Sequence, residues 1–276
     1  MTTGDNRRLM CIFAHPDDET LGVGSTLAKY AHEGVETFLL TATRGERGWH
    51  DVPPEDPGLA GMGRIREQEL RAAARILGLK EVCFLGYVDG ELDQVPPAEI
   101  IPRIVCHVRR VRPQVVITFA PDGTYGHPDH IAISQFAAAA LVAAADASYV
   151  DAAGCCDPHR VAKFYYFVET VEVAALYDQI VGGLAMEVDG ETRRFDGWQP
   201  WAVTAHIDGD AYWGDVLRAI RCHETQRSTL GAFEEAIAAQ HHALVGLRHY
   251  YRAYSLVNGG RQVETDLFAG LEKDRD

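Results

Sequence analysis

The sequence predicts an α/β fold built on a mostly parallel sheet. Two observations lead to this prediction. Short, apolar, β-rich runs alternate with stretches of helical pattern through the first half of the chain. The helical stretches are long enough to serve as crossover connections, which is the pattern of βαβ units. With 276 residues, the chain is also long enough to bury one sizeable core.

The elements of the first half can be placed from their residue patterns. Strands are predicted at residues 9–14, 35–43, 81–86 and 114–120, where apolar residues form short runs. Helices are predicted at residues 20–33, 64–77, 99–111 and 128–145. Gly34 and Gly78 follow the first two helices, and glycine is the common residue just beyond a helix end. A Gly/Pro-rich loop precedes the second helix.

The pattern is less regular after about residue 146. Strands are predicted at 163–169 and 202–208, and helices at 210–225 and 232–245. No linker composition or internal repeat separates this part from the rest. We therefore predict a Rossmann-like three-layer fold with an added C-terminal α+β portion. One domain over 1–276 is expected, with an α/β core in 1–145 and a substrate-side elaboration in 146–276.

Charge and composition exclude several classes of partner. The net charge of −14 argues against a nucleic acid bound through a basic surface. The longest apolar run, residues 136–145, is too short to cross a bilayer, so no transmembrane segment is expected. The six cysteines show no CxxC spacing and no secretory leader is recognised, which indicates free thiols in a reducing compartment. A cytoplasmic protein is expected, and homo-oligomerisation stays open.

Acidic residues and a histidine follow directly on the first predicted strand. The stretch "AHPDDET" at 14–20 contains three consecutive carboxylates, which repel one another and are costly to bury. The stretch "PDGTYGHPDH" at 121–130 follows the fourth strand in the same way. One His-Pro-Asp sequence would indicate only a helix start. Two copies at the same edge of a parallel sheet, where ligands bind, favour a site for a divalent metal.

Zinc fits this set of side chains. A catalytic zinc site has about three protein ligands and leaves one position open. We assign His15, Asp18 and His130 as the ligands, which places the metal-binding part within residues 1–145. Fe²⁺ or Co²⁺ could occupy the same His-Asp-His set.

The remaining side chains supply the other groups that amide hydrolysis needs. Asp17 could accept the proton of a water molecule that the metal activates. His127, protonated or hydrogen-bonded to Asp129, could stabilise the oxyanion and donate a proton to a leaving amine. From spacing alone, the roles of Asp17 and Asp18 could be exchanged.

These motifs resemble those of the LmbE-like, or PIG-L, family of zinc-dependent N-deacetylases, which act on N-acetylglucosaminyl conjugates. The family hallmarks "AHPDDE" and "HPDH" both stand intact, at 14–19 and 127–130. The resemblance implies roles for six residues, which are the zinc ligands His15, Asp18 and His130, the general base Asp17, and the acid or oxyanion-stabilising His127, held by Asp129. It thereby resolves the ambiguity between the two aspartates.

The resemblance also implies substrate contacts. Tyr125 would contact the substrate carbonyl or the intermediate, Arg66 the sugar hydroxyls and Asp89 the sugar, while the loop of Glu46 would line the site. Each of these residues could instead have a purely structural role. Arg66 could form an exposed ion pair on its helix, Asp89 could favour a turn, and Tyr125 could pack against its neighbours. His223, in "HETQ", resembles a family segment and would either support the site or end a helix.

The sequence thus predicts a hydrolase that removes an acetyl group from the nitrogen of an N-acetylglucosamine-type amino sugar or its conjugate. One alternative is an amidase that cleaves a larger thiol-sugar conjugate, for which a roomier pocket beside the metal is expected. Another is a non-catalytic, metal-containing protein that binds a sugar. The absence of a glycine-rich phosphate loop argues against a nucleotide ligand.

Overall fold

The computed structural model describes residues 7–48, 57–149, 157–257 and 262–271. Its strands are β1 (Arg8–Phe13), β2 (Glu36–Thr43), β3 (Glu81–Tyr87), β4 (Val115–Phe119), β5 (Lys163–Val168), β6 (Ala185–Val188), β7 (Glu191–Arg194), β8 (Ala205–Asp208) and β9 (Leu247–Ser255). Its helices are α1 (Asp18–His32), α2 (Gly58–Ile76), α3 (Pro97–Val111), the short turn α4 (Gly123–Gly126), α5 (Pro128–Ala145), α6 (Val171–Val181), α7 (Trp213–Ile220) and α8 (Arg227–His241).

Seven strands form one sheet in the order β3-β2-β1-β4-β5-β9-β8, and β6 pairs with β7 in a separate hairpin. The first five strands are parallel, whereas β9 runs antiparallel to both β5 and β8. Helices α3 and α5 pack together, and α1 and α2 pack against α7, so helices cover the sheet on both faces. The predicted Rossmann-like α/β fold with an added C-terminal α+β portion is confirmed.

The buried character of the first strands explains why they were recognisable. Strands β1 and β4 are buried at nearly every position, as expected for parallel strands covered on both faces. They are neighbours in the sheet, with Leu9 opposite Val115 and Cys11 opposite Ile117. The strand order reverses direction between them, which creates a crevice at their carboxyl ends. The segments that directly follow β1 and β4 therefore lie next to each other at this edge of the sheet.

Several predicted boundaries were wrong. Helix α2 begins at Gly58 instead of residue 64. The helix predicted at 210–225 is α7 flanked by two 3-10 turns, because His223 leaves helical geometry (φ −85°, ψ 64°) and turns its side chain into the interior. Helix α8 ends at His241 and a π-helical turn, His242–Gly246, connects it to β9.

Three elements of the second half were missed, namely α6, the β6–β7 hairpin and β9. Strand β9 interleaves arginine and histidine with tyrosine, so it lacks the apolar run by which the earlier strands were found. Arg248 nevertheless lies inside the protein, only 1% exposed, because its guanidinium is paired with the buried Glu169. Its remaining donors reach the carbonyl oxygens of Gly22 and Leu244.

Helix α5 is long and apolar. Its 18 residues have a mean hydropathy of 1.2, and among the described residues it alone is long and apolar enough to cross a membrane by those measures. The prediction considered only the uninterrupted run 136–145 within it. More than half of α5 is buried inside the protein, where it packs on α3, β1 and β4. Its apolar character is that of a core helix.

The cysteines form no disulfide in the described part of the chain. Cys11, Cys83 and Cys222 are free thiols. Cys155 and Cys156, the adjacent pair, lie outside the described residues.

Replacing Arg248 by Met should lower the free energy of unfolding by about 3–5 kcal/mol, because it leaves the carboxylate of Glu169 buried without its cation. Urea unfolding followed by circular dichroism measures this loss. The matched control is Arg218→Met, which breaks the exposed pair with Asp215 and should cost less than about 1 kcal/mol. Equal losses in the two variants would contradict the structural role given to the buried pair.

Candidate active site

The two His-Pro-Asp segments meet at the carboxyl ends of β1 and β4. Helix α1 begins at Asp18, directly after the first segment, and α5 begins at Pro128, inside the second. His127 caps α5, and its Nδ1 accepts a hydrogen bond from the backbone N–H of Asp129 at 3.1 Å. Each segment is therefore a strand-to-helix turn, and the parallel pairing of the strands sets the turns side by side.

Three of the predicted metal ligands lie close together at this edge of the sheet. The Nδ1 of His15 lies 3.3 Å from the Nε2 of His130 and 3.8 Å from the carboxylate of Asp18. The Nε2 of His130 lies 3.5 Å from the other oxygen of Asp18. Ligands of a tetrahedral zinc ion at its usual bond lengths are about 3.3 Å apart. The two imidazole nitrogens therefore face one carboxylate, and His127 groups with the same two imidazoles as a further possible donor to a metal ion.

The carboxylate of Asp18 is held in place by the backbone it follows. One of its oxygens accepts N–H hydrogen bonds from Ala14 at 3.1 Å and His15 at 2.7 Å. The other oxygen faces His130. The tight turn thus directs this carboxylate at the two imidazoles, whereas the side chain of Asp17 points to a different partner.

The far side of the His15 ring is held by two carboxylates. Its Nε2 lies 3.0 Å from Asp89 and 3.1 Å from Asp129, and Asp129 also accepts N–H groups of Gly90 and Leu92. Burial acts to raise the pKa of Asp89, but the hydrogen bond and charge of His15 outweigh it, so this pKa lies well below the usual range. Metal-ligating histidines are commonly held by a carboxylate in this way.

The ring of His130 is fixed in a similar manner. Its Nδ1 lies 3.3 Å from the carbonyl oxygen of Gly123, and its face stacks on Phe119 with ring centroids 3.9 Å apart. His127 stacks on its other side at 4.5 Å. The Nε2 of His130 is consequently the nitrogen that faces His15 and Asp18.

Asp17 is held by an arginine from α2. Its backbone adopts a left-handed conformation (φ 107°), and its carboxylate pairs with Arg66 at 3.0 Å. The same guanidinium donates to the carbonyl oxygens of Pro16 at 2.6 Å and Gly45 at 2.9 Å. Burial raises the pKa of Asp17, and the positive charge of Arg66 opposes that rise. Arg66 therefore fixes both the turn and its acidic side chain.

Glu19 supports the same turn from inside the protein, a role that sequence reasoning missed. Its carboxylate is fully buried, accepts the N–H of Asp17 at 3.2 Å and lies 3.6 Å from the Nε2 of His223. Burial acts to lower the pKa of His223, but the hydrogen bond and charge of Glu19 outweigh it and raise that pKa. His223 thus lies behind the site, and the "HETQ" segment was the signal that pointed to it.

Two cavities adjoin the cluster of donors. The larger, of about 600 Å³, is lined mainly by polar residues, and one of its walls is strand β6 of the hairpin. The smaller, of about 240 Å³, is lined mainly by aromatic and aliphatic side chains. Five residues line both cavities: Asp17, Asp18, Tyr125, His130 and Gln226. The cluster of donors therefore lies between a polar and an apolar cavity.

The predicted substrate-binding residues fall at different places. Arg66 and Asp89 line the larger cavity, although their side chains are also engaged by Asp17 and His15. Tyr125 lines both cavities, with its ring edge toward His127 and His130.

Glu46, unlike the other predicted substrate-binding residues, is not among the residues that line the two cavities. Two other parts of the cavity wall were not predicted. The Glu46 carboxylate accepts the backbone N–H groups of Arg44 and Asp89, so it joins two loops. Gln226 and the β6–β7 hairpin line the larger cavity, and no local sequence signal had marked the hairpin. Arg193 ties that hairpin to the second motif by donating to the carbonyl oxygen of Gly126 at 2.7 Å.

A cluster of imidazole and carboxylate groups at the switch point of an α/β sheet is an arrangement that metal-dependent hydrolases use. Residues 10–141 match the sequence model of the family described as PIG-L: GlcNAc-PI de-N-acetylase. A 1D-myo-inositol 2-acetamido-2-deoxy-alpha-D-glucopyranoside deacetylase of Streptomyces griseus is 36% identical, and the alignment covers 96% of this chain and 89% of that protein. The chain belongs to the PIG-L family. The predicted family, and the predicted enzyme that hydrolyses C–N bonds other than peptide bonds, are confirmed.

Solved structures share the fold. A conserved protein of Thermus thermophilus is 25% identical with a TM-score of 0.64, covering 91% of this chain and 96% of its own. The N,N'-diacetylchitobiose deacetylase of Pyrococcus horikoshii has a TM-score of 0.67 at 21% identity, covering 90% of this chain and 84% of its own. These likenesses extend through both halves of the sheet.

Loss of a donor should abolish tight metal binding, whereas loss of the neighbouring carboxylate should not. We expect His130→Ala to bind Zn²⁺ far more weakly than the wild type, and Asp17→Asn to bind it with unchanged affinity. Asp129→Asn should weaken binding by about 10–100-fold, because it removes the charge of one of the two carboxylates that hold the outer nitrogen of His15. Competition with a chromophoric chelator measures all three. Weak binding by Asp17→Asn would identify Asp17 as a ligand, and unchanged binding by His130→Ala would contradict the ligand assignment of His130.

Proposed function

We propose that this protein hydrolyses the N-acetyl group of an α-D-glucosaminide, and that an inositol-linked N-acetylglucosamine is its first candidate substrate. The observation that carries the proposal is the donor set of His15, Asp18 and His130, with Asp17 and His127 beside it at the floor of a polar cavity. The names of the curated relatives supply the substrate class. The free thiols fit a reducing compartment, and we place the reaction in the cytoplasm.

The donor set would hold one divalent cation, and zinc is our assignment. Two imidazoles and a carboxylate at tetrahedral separations suit Zn²⁺, while Fe²⁺ and Co²⁺ share these ligands. When bound, the cation supplies Lewis acidity toward the amide carbonyl and toward water. The other steps belong to side chains of the protein.

Asp17 acts as the general base. Its carboxylate lines both cavities beside the donor set, so it faces the position where water and the amide carbon meet. The ion pair with Arg66 holds it in one orientation, and the turn with positive φ keeps it apart from Asp18. Asp17 takes a proton from water as the oxygen adds to the carbonyl carbon, and it can return this proton to the departing nitrogen.

His127 stabilises the oxygen that becomes negative when water adds. Its Nδ1 accepts the N–H of Asp129, so this nitrogen carries no hydrogen, and the ring has its hydrogen on Nε2. That N–H is free to donate to the oxyanion. The bond from Asp129 comes from its backbone, whereas its carboxylate faces His15, and we assign Asp129 as the residue that positions both histidines.

The larger cavity would hold the sugar. Its volume of about 600 Å³ and its polar wall suit a polyol, which needs hydrogen-bond partners for each buried hydroxyl. Arg47, Asp89 and Gln226 lie on that wall, with Tyr125 at the boundary to the apolar side. Arg66 acts mainly through Asp17, and Glu46 acts through the loops that it joins.

Asp17→Asn should lower kcat for acetate release by about 10²–10⁴-fold, the usual contribution of a general base. The substrate is the inositol-linked N-acetylglucosaminide, and wild type and variant are compared after both are shown to hold one metal ion. Glu224→Gln, on the 3-10 turn beside His223, serves as a charge-matched control away from both cavities. Activity that survives in Asp17→Asn would overturn the assignment of the base, and no acetate from the wild type would overturn the proposed function.

His127→Ala should slow the reaction by about 10²–10³-fold with every leaving group, because an oxyanion donor acts on the carbonyl and not on the nitrogen. Acetanilides with nitrogen leaving groups of graded basicity separate this role from general-acid catalysis. A loss that shrinks as the departing amine becomes less basic would identify His127 as the proton donor instead.

A further inference from the structure

We infer that Trp198 and Asp122 are positioning residues for the metal-binding site, because they hold a peptide group that orients the imidazole of His130. This peptide group joins Gly123 to Thr124, in the turn between β4 and α5. The inference rests on the proposed function, because it takes His130 as a ligand of the cation. Neither positioning residue lines either of the two cavities.

Four groups form a continuous chain of hydrogen bonds that ends at His130. The indole Nε1–H of Trp198 donates to Oδ2 of Asp122 at 2.6 Å. The other oxygen of that carboxylate accepts the backbone N–H of Thr124 at 3.1 Å. The carbonyl oxygen of the same peptide group, which belongs to Gly123, lies 3.3 Å from Nδ1 of His130. One side of the peptide is thus held by the carboxylate, and the other side meets the imidazole.

This chain decides which nitrogen of His130 is available to a metal ion. A carbonyl oxygen only accepts hydrogen bonds, so Nδ1 of His130 carries the hydrogen and Nε2 has the free lone pair. Nε2 is the nitrogen that lies 3.3 Å from His15 and 3.5 Å from Asp18. A carboxylate on the N–H of a peptide also polarises that peptide and strengthens its carbonyl as an acceptor. The carboxylate of Asp122 therefore reaches the metal-binding nitrogen through one peptide and one ring.

The turn needs this support because its backbone is strained. Thr124 has φ 69° and ψ −65°, the geometry of the rare and strained type of γ-turn, which a β-branched residue adopts at a cost. Residues in such conformations persist only where the surrounding structure determines them. If Thr124 relaxed to a negative φ, the plane of the preceding peptide would rotate and its carbonyl would leave His130. The hydrogen bond to Asp122 opposes that rotation.

Trp198 is the fixed end of the chain. Its backbone N–H donates to the carbonyl oxygen of Glu169 at 2.7 Å, and its own carbonyl oxygen accepts from Val171 at 3.0 Å. Its ring lies beside that of Tyr251, with centroids 5.5 Å apart, and packs against a small buried cluster at the carboxyl ends of β4 and β5. Asp122, by contrast, is exposed, so without the indole its carboxylate could turn to solvent. The indole therefore ties the turn to the sheet.

Metal affinity of the full chain tests this arrangement. Trp198→Phe removes only the indole donor and should weaken Zn²⁺ binding by about three- to tenfold, the effect of one hydrogen bond. Asp122→Ala removes the carboxylate itself and should weaken binding by about 10–100-fold. Trp201→Phe, 84% exposed and outside both cavities, is the matched control and should bind Zn²⁺ as tightly as the wild type. Competition with a chromophoric chelator measures all four proteins, after circular dichroism has shown that each is folded.

A further substitution separates orientation of the peptide from a general loss of packing. Thr124→Gly keeps the peptide group but removes the side chain that makes a positive φ costly, because glycine adopts φ > 0 readily. We expect this variant to bind Zn²⁺ at least as tightly as the wild type. When Trp198→Phe is added to it, binding should weaken by less than about twofold. Loss of packing alone would give Trp198→Phe the same cost in both backgrounds.

The outcomes are distinct. The inference is overturned if folded Trp198→Phe and Asp122→Ala bind Zn²⁺ as tightly as Trp201→Phe does. It is also overturned if Thr124→Gly leaves the cost of Trp198→Phe undiminished, because the indole would then not act through the turn. Acetate release is measured separately, and its absence in the metal-loaded wild type overturns the proposed function while the affinities still decide the role of Trp198. A wild type that binds no Zn²⁺ overturns both.

Discussion

Buried negative charge is the constraint on which the rest of the site depends. Four carboxylates, those of Asp17, Asp18, Asp89 and Asp129, surround the imidazole of His15 at the end of one strand. Without compensation, such a cluster would be expensive to remove from water. The protein compensates part of it with Arg66, with backbone N–H groups and with helix starts, and a divalent cation would compensate the remainder. Binding of such a cation would therefore stabilise the folded protein at this edge of the sheet.

The parallel pairing of β1 and β4 makes this cluster possible. In the proposed site one turn supplies His15 and Asp18 and the other supplies His130, so the metal would depend on both turns. Asp89, from the loop after β3, and Arg66, from α2, then hold His15 and Asp17 of the first turn. A slip of the register by one residue would turn these strands' side chains to the opposite faces of the sheet and separate the donors.

The sequence predicted the first four strands and the positions of both motifs, because a parallel sheet leaves continuous apolar runs and the acidic turns stand directly behind them. It did not predict β9, since a buried arginine in that strand is tolerated only through an ion pair with Glu169, which lies far away along the chain. For the same reason Glu19 had no assigned role until His223 was found behind it. The partner of Arg66 was also unforeseen, because it depends on how α2 crosses the first turn. Local pattern identifies elements and motifs, whereas tertiary contact decides which polar group meets which.

The β6–β7 hairpin shows how a family of this kind can diversify. It contributes one wall of the larger cavity, yet it shares no hydrogen-bonded strand with the seven-stranded sheet and is tied to the second motif through Arg193. The hairpin can therefore change in length and in residue type without disturbing the strand register that brings the donors together. Selection on such a short, separately paired segment can alter which sugar conjugate enters the cleft while the hydrolytic chemistry beneath it is inherited intact.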